Sequence, residues 1–309
     1  AMFRDPEYLR AGAQVAYSPA EVIQRSLLVA KIGRPTAEEL SDCPPEMALM
    51  AFYHMAVADR GVLDALAGRC LTAIGCEIIQ QDDGRLPVLA AISEIAGQMT
   101  VPIAAHLLRS SSGGRGILLG GTAGVPPARV VVLGVGTVGF AAARTAAAAG
   151  ARVTAFDRDP RRLRHTMEHA PAVETCLCDD DAIAEAVAAA DVVIGAVLIA
   201  GTRTPHVVTR AMVEQMKPGS AVIDVSIDQG GCIETSRPTT IAEPTFVHKG
   251  VTHFCVPNFT ADLGRSASVA IAQALLPYML TIARHGVDSA LEKCPDLARG
   301  VFTLRGRRP

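Results

Sequence analysis

Short, unbroken apolar runs recur through the middle of the chain at a spacing that predicts a parallel sheet. Residues 130–133, 152–156, 191–195, 221–225 and 251–256 form such runs, and a weaker one lies near 172–177. A strand covered on both faces needs no polar alternation, so each run reads as a buried strand. Between them, helical patterning predicts helices over 137–149, 159–169, 180–189 and 209–216, with Gly150 and Gly219 where C-terminal caps belong. Strand and helix alternate throughout, as in a doubly wound α/β domain.

The first ninety residues have another texture, richer in methionine and proline. They predict a helix near 19–25, a strand at 27–32, a helix at 59–68 and a strand at 71–77. A long helix is expected over 92–109, with Ser93 and Glu94 in its first turn, and a second over 266–285. The tail from Gly286 is expected to return to the first domain. The expected domains are therefore 1–92 plus 268–309, and 93–267, bridged by two long helices with a ligand cleft between the lobes.

The run Val130-Val131-Val132-Leu133 ends in Gly134-Val135-Gly136-Thr137-Val138-Gly139, and Val153-Thr154-Ala155-Phe156 ends in Asp157. This is strand, G-x-G-x-x-G, helix, strand, acid. The first glycine allows a tight turn, the second lets backbone approach a pyrophosphate, and the third lets helix and strand pack closely. The helix N-terminus offers N–H groups to phosphate. Asp157 is placed to accept both ribose hydroxyls of an adenosine and to repel a 2′-phosphate, so the expected cofactor is NAD rather than NADP.

Composition narrows the remaining possibilities. Half of the 309 residues are hydrophobic, 19% are charged, and the net charge is −2. No basic stripe interleaves with aromatics, so nucleic-acid binding has no support. No uninterrupted apolar stretch reaches membrane-spanning length. Arg4, Asp5 and Glu7 interrupt any signal peptide, and Ala1 ahead of Met2 is expected to be an expression remnant. The eight cysteines are scattered without paired C-x-x-C spacing, as in a reduced cytoplasmic protein, and no metal site is expected.

Four side chains outside the cofactor motif stand where chemistry is expected. Asp228 follows the run at 221–225, and ligands in open α/β sheets bind beyond strand carboxyl ends. It is placed to bind ribose, orient an ammonium or move a proton; the plain alternative is a solvated acid before Gly230-Gly231. Asn258 ends the last strand, either as a hydrogen-bonding partner for cofactor or substrate or as a helix cap. His54 is a candidate general acid or base, or a structural histidine. Lys31 leaves the strand Leu27–Ala30, as a substrate-facing cation or a solvated charge.

The segments Ile227–Thr240, Ile194–Ile199, Ser93–Gly97, Gly113–Gly116 and Leu118–Gly121 resemble the alanine dehydrogenase and nicotinamide nucleotide transhydrogenase family. The resemblance runs over nearly the whole chain. It implies a doubly wound parallel-sheet (Rossmann) NAD domain inserted in a second, smaller α/β domain. It implies a cofactor lining of Ser93, Asp157, Arg162, Val197, Leu198, Ile227, Asp228, Val256, Asn258 and Phe259, with Asp228 also catalytic. The expected lining further includes Thr137, Val138, Arg158 and Cys178. The implied activity is reversible oxidative deamination of an amino acid with NAD, and the implied assembly is a homo-oligomer.

Several family features are altered. A strand-helix-strand stretch with a carboxylate-clamping arginine is expected to precede Phe3–Tyr8 and is lacking. Counting back from Pro35 puts Gly33 at the family's lysine, with Lys31 two residues away on the same face. The family's histidine falls at His54 or, by one alignment, at Met55; one residue of slip on a strand turns a side chain to the other face. The loop after Asn258 reads Phe259-Thr260-Ala261-Asp262-Leu263-Gly264. The expectation is an NAD-dependent oxidoreductase, acting on an amino acid or imine other than L-alanine. His54, Lys31 and Asp228 would be catalytic, with Arg265, Arg34 or Arg115 on a carboxylate. The rival readings are an NAD-retaining enzyme of another class and a non-catalytic NAD-binding homologue.

Overall fold

The computed structural model describes residues 3–55, 60–199 and 202–307. The strands in chain order are β1 (Leu28–Ala30), β2 (Ala48–Ala51), β3 (Thr72–Gly75), β4 (Arg129–Leu133), β5 (Arg152–Asp157), β6 (Val173–Leu177), β7 (Val192–Gly195), β8 (Ala221–Asp224), β9 (Thr245–His248), β10 (Val251–Phe254) and β11 (Val301–Thr303). The helices are α1 (Asp5–Arg10), α2 (Pro19–Gln24), α3 (Ala37–Asp42), α4 (Arg60–Gly68), α5 (Pro87–Leu107), α6 (Thr137–Ala148), α7 (Pro160–His169), α8 (Asp180–Ala189), α9 (Arg210–Glu214), α10 (Gly264–His285), α11 (Val287–Lys293) and α12 (Pro295–Arg299). The chain forms two compact units, one of residues 1–92 with 263–309 and one of residues 93–262.

The second unit is a seven-stranded sheet in the order β6-β5-β4-β7-β8-β10-β9. Every pair from β6 to β10 is parallel, and only the edge strand β9 runs antiparallel. With β4 as the first strand this is the doubly wound order, with its switch point between β4 and β7. The strands read as unbroken apolar runs because they are buried on both faces: Val130, Val132, Ala155, Val192 and Ile194 pack in one cluster, and Val131, Leu133, Phe156, Val193 and Val222 in the other. Asp191 ties the amino ends together. Its carboxylate accepts the Arg129 N–H at 2.8 Å and pairs with Lys217 at 3.0 Å and Arg115 at 3.2 Å.

The first unit carries a four-stranded sheet in the order β1-β2-β3-β11, parallel except for β11. β2 was not expected: Ala48, Leu49, Met50 and Ala51 include no β-branched residue, yet all four are buried at the sheet centre. Tertiary packing here overrides local propensity.

One expectation about the long helices is corrected. α5 begins at Pro87, five residues before the expected start, so Ser93 and Glu94 lie in its second turn rather than its first. Proline suits a helix start because the missing N–H has no intrahelical partner there. By length and composition, α5 and the run Phe259–His285 would be long and apolar enough to cross a membrane. Polar residues such as Glu94 and Gln273 break both, so neither contains an uninterrupted apolar stretch of membrane-spanning length. Core helices meet the same criterion of length and composition; Val88, Ala96, Val101, Ala104 and Leu107 of α5 are buried.

Candidate functional site

Parallel strands place all their carboxyl ends at one edge of the sheet. At that edge lie Gly134 after β4, Asp157 at the end of β5, Cys178 after β6, Ala196–Ile199 after β7, the short 3-10 turn Val225–Gln229 after β8, and Cys255–Asn258 before a second such turn, Phe259–Leu263. The edge therefore collects most of the expected cofactor residues without any long-range design of individual side chains.

The glycine loop matches its expected mechanics. Gly134 has φ +85°, and a Cβ there would meet the Ala196 carbonyl at 2.8 Å. A Cβ on Gly139 would sit 1.7 Å from the Gly134 carbonyl, so only glycine lets α6 leave this turn. Gly136 caps α6, and a Cβ there would meet only the Arg162 guanidinium, at 3.7 Å. Thr137 and Val138 open the helix, whose first N–H groups face this space.

Asp157 is buried, and both of its oxygens are held. Oδ2 accepts the Val135 N–H at 2.8 Å and Oδ1 the Asp159 N–H at 2.9 Å, while Arg162 lies 3.8 Å away. The carboxylate is thus fixed across the mouth of the glycine turn. A pocket of about 650 Å³ opens beside it, lined by Gly134, Asp157, Arg158, Arg162, Cys178, Val197 and Leu198 from the expected set. Asp180, Ile183, Pro205, His206, Val207, Thr209 and Met212 line it as well. Sequence reasoning missed these; the one local signal was that the segments after β6 and β7 start at the ligand edge. A volume of about 650 Å³ lies within the range of small-molecule and cofactor sites.

Asp228 sits half-buried in the turn after β8. Its Oδ1 accepts the Asn258 N–H at 2.9 Å. Burial, with the neighbouring Asp224 charge as a smaller cause, raises its carboxyl pKa to about 6. Asn258 adopts φ +51° and its carbonyl accepts the Ala261 N–H at 2.9 Å. Its side-chain Oδ1 also accepts the Thr260 hydroxyl at 3.4 Å, so backbone and side chain together shape the start of the turn that follows. Three of the expected lining residues turn out to be core: Val256 and Phe259 pack with Ala96, and Ile227 is also buried. Their side chains are committed to packing. Ser93 is half-buried on α5. Asp224, which was not anticipated, is 1% exposed and accepts the Cys232 and Ile233 N–H groups at 3.1 and 3.2 Å. It anchors the loop that carries Gly230 and Gly231.

In the first unit, His54 lies beyond β2 with φ +47°. Its N–H donates to Glu77 Oε1 at 2.7 Å, and its ring stacks on Phe52 at 6.1 Å. Burial, then the Arg34 charge, lowers its pKa, so the imidazole is neutral at pH 7. Met55 instead packs against the core of Tyr53, Leu49 and Leu40. Lys31 is engaged otherwise than expected: its ammonium lies 2.6 Å from Glu39 Oε1, and Glu39 also closes the capping box of α3. Arg34 donates to the carbonyls of Tyr53 at 2.6 Å and His54 at 3.3 Å. Of the other arginines considered for a carboxylate, Arg115 is bound to Asp191 at the opposite, amino end of the sheet, and Arg265 lies over the Phe3 ring at 4.7 Å. All eight cysteines are free thiols.

A doubly wound dinucleotide fold with this glycine loop and acid defines an NAD-binding oxidoreductase. Residues 100–308 match the alanine dehydrogenase/PNT C-terminal domain, and residues 1–96 match the alanine dehydrogenase/PNT N-terminal domain. The chain belongs to this family. It is 41% identical to an alanine dehydrogenase of Halomonas elongata over 99% of this chain and 82% of that protein. It is 40% identical to one from Mycobacterium tuberculosis, over 98% of this chain and 81% of the relative. Among solved structures, an L-alanine dehydrogenase superposes with a TM-score of 0.92 at 38% identity, over 99% of this chain and 84% of that one. A transhydrogenase of Sinorhizobium meliloti superposes at 0.83 with 25% identity, over 100% of this chain and 88% of that one.

Two expectations are corrected by these likenesses. The family's N-terminal domain matches from residue 1, against the expectation that its N-terminal segment is lacking. The doubt over activity on alanine also loses its support, since the relatives named are alanine dehydrogenases. NAD is the cofactor.

Proposed function

We propose that this protein catalyses the reversible oxidative deamination of L-alanine. Alanine, NAD⁺ and water give pyruvate, ammonium, NADH and a proton. The observation that carries this reading is the likeness, along nearly the entire chain, to proteins named for that substrate. NAD supplies the hydride acceptor when bound.

The residues present support a division of labour. Gly134, Gly136 and Gly139 leave room for backbone and phosphate, and Asp157 meets the adenosine ribose. His54, neutral at pH 7, accepts the proton that must leave as hydride departs. Asp228 is the second acid–base group, its raised pKa bringing it close to working pH. Arg34 is the cation assigned to the substrate carboxylate. Of the five N–H groups of a guanidinium, two are given to the Tyr53 and His54 carbonyls, which hold the fork beside His54. Lys31 is assigned a structural role by its pairing with Glu39.

The test is a panel of L-amino acids with NAD, read as NADH formation. The highest kcat/KM is expected for L-alanine. A clearly higher value for another amino acid would overturn the substrate assignment.

A further inference from the structure

Beyond the groups that meet substrate, we infer that Glu77 is a positioning residue that sets the direction of the His54 imidazole. The inference rests on the proton-transfer reading of His54. Glu77 lies in a 3-10 turn, Cys76–Ile78, directly after β3, and is 6% exposed. One of its oxygens, Oε1, accepts two successive backbone N–H groups, from Tyr53 at 2.9 Å and from His54 at 2.7 Å. The carbonyls of the same two residues are held by Arg34. The Tyr53–His54 backbone is thus clamped on its donor side by a carboxylate and on its acceptor side by a guanidinium.

The clamp is needed because His54 has φ +47°, a region that side chains other than glycine rarely adopt. Released, His54 would relax toward negative φ and swing its ring away from the direction it now holds. A buried carboxylate is a costly means of mere stabilisation. The other oxygen, Oε2, is buried without a hydrogen-bond partner among the described residues, and burial raises the carboxyl pKa. An apolar residue of similar size would avoid that penalty but leave the Tyr53 and His54 N–H groups without this acceptor. Retaining it is explained by what Oε1 does for His54.

The test uses the full chain in steady-state oxidation of L-alanine, with folding followed by circular dichroism and NAD affinity by calorimetry. Glu77→Gln keeps an oxygen at Oε1 and is expected to retain kcat within about threefold. Glu77→Leu removes both acceptor contacts and is expected to lower kcat by about tenfold or more, with NAD affinity unchanged. In a His54→Ala background the same Glu77→Leu change is expected to cost less than about twofold, because it acts through the missing ring. Should Glu77→Leu fail to fold, Glu77→Asp takes its place: it keeps the charge but withdraws the oxygen, and is expected to be less active than Glu77→Gln. Equal losses from Glu77→Leu on both backgrounds would overturn the inference, as would Glu77→Asp matching or exceeding Glu77→Gln. His54→Ala alone retaining wild-type kcat would instead overturn the reading of His54 on which the inference stands.

Discussion

The backbone N–H of Asn258 donates to the carboxylate of Asp228 at 2.9 Å, joining the loop after β10 to the turn after β8. One charge-favouring contact does not offset burial, and Asp228 is left with a pKa of about 6. Asp228 is ionised above that value and protonated below it. The kcat/KM for alanine oxidation is therefore expected to be flat at pH 7 and above and to fall about tenfold per pH unit below 6. His54, with a pKa lowered from its usual value, stays neutral across the plateau. Asp228→Asn should lower kcat by about a hundredfold or more. An acid limb unchanged in position and depth in that variant would show that Asp228 is not the group titrating.

With Asp157 assigned to the adenosine ribose, cofactor binding is expected to depend on its held state. Asp157→Ala removes the acceptor for the Val135 and Asp159 N–H groups as well as the proposed ribose contact. NAD affinity by calorimetry is expected to fall by about tenfold or more, since charge-assisted hydrogen bonds contribute about 1.5–3 kcal/mol each. Wild type should prefer NAD to NADP, and the variant should lose that preference. Unchanged NAD affinity would remove Asp157 from the site.

Lys31 offers a control for the assignment of proton transfer. Its partner Glu39 closes the α3 cap, so Lys31→Met is expected to lower stability by about 0.5–1 kcal/mol. Its kcat should stay within about threefold of wild type. A loss of kcat comparable to that of His54→Ala would return Lys31 to the catalytic set.

Stability should depend on pH through His253. The ring is fully buried, its Nε2 lies 2.8 Å from Thr235 Oγ1, and burial lowers its pKa to about 4. The unfolded chain binds a proton at this residue near pH 6.5 while the fold resists it down to about 4. His253 therefore favours the folded state fully above 6.5, and this contribution is lost as pH falls toward 4. A loss on the order of 3 kcal/mol between pH 7 and pH 4 is expected from this group. Urea unfolding of His253→Gln should show a shallower dependence over that window than wild type. Parallel curves for the two proteins would assign the dependence elsewhere.

The sequence disclosed those parts of the molecule whose physics is local. Gly134, Gly139 and Asp157 lie within one strand-turn-helix-strand unit, so their spacing alone dictates their roles. The parallel strands were visible because burial on both faces leaves unbroken apolar runs. β2 was hidden because Ala48–Ala51 becomes a strand only between β1 and β3. Pro87 was hidden because a proline that starts a helix looks like one that ends it. Side-chain commitments across the fold were beyond reach: Phe259 and Val256 as core, Lys31 paired with Glu39, and Asp224 and Glu77 as buried acids holding backbone. Each of these follows from contacts between distant segments.

NADH formation by the purified chain at saturating L-alanine and NAD tests the central claim most directly. A turnover of about 10 s⁻¹ is expected, the middle of the range for competent enzymes. It should be reversed by pyruvate with ammonium and NADH, and lost by about a hundredfold or more in His54→Ala. NAD binding with no NADH formed from L-alanine above background would contradict the account.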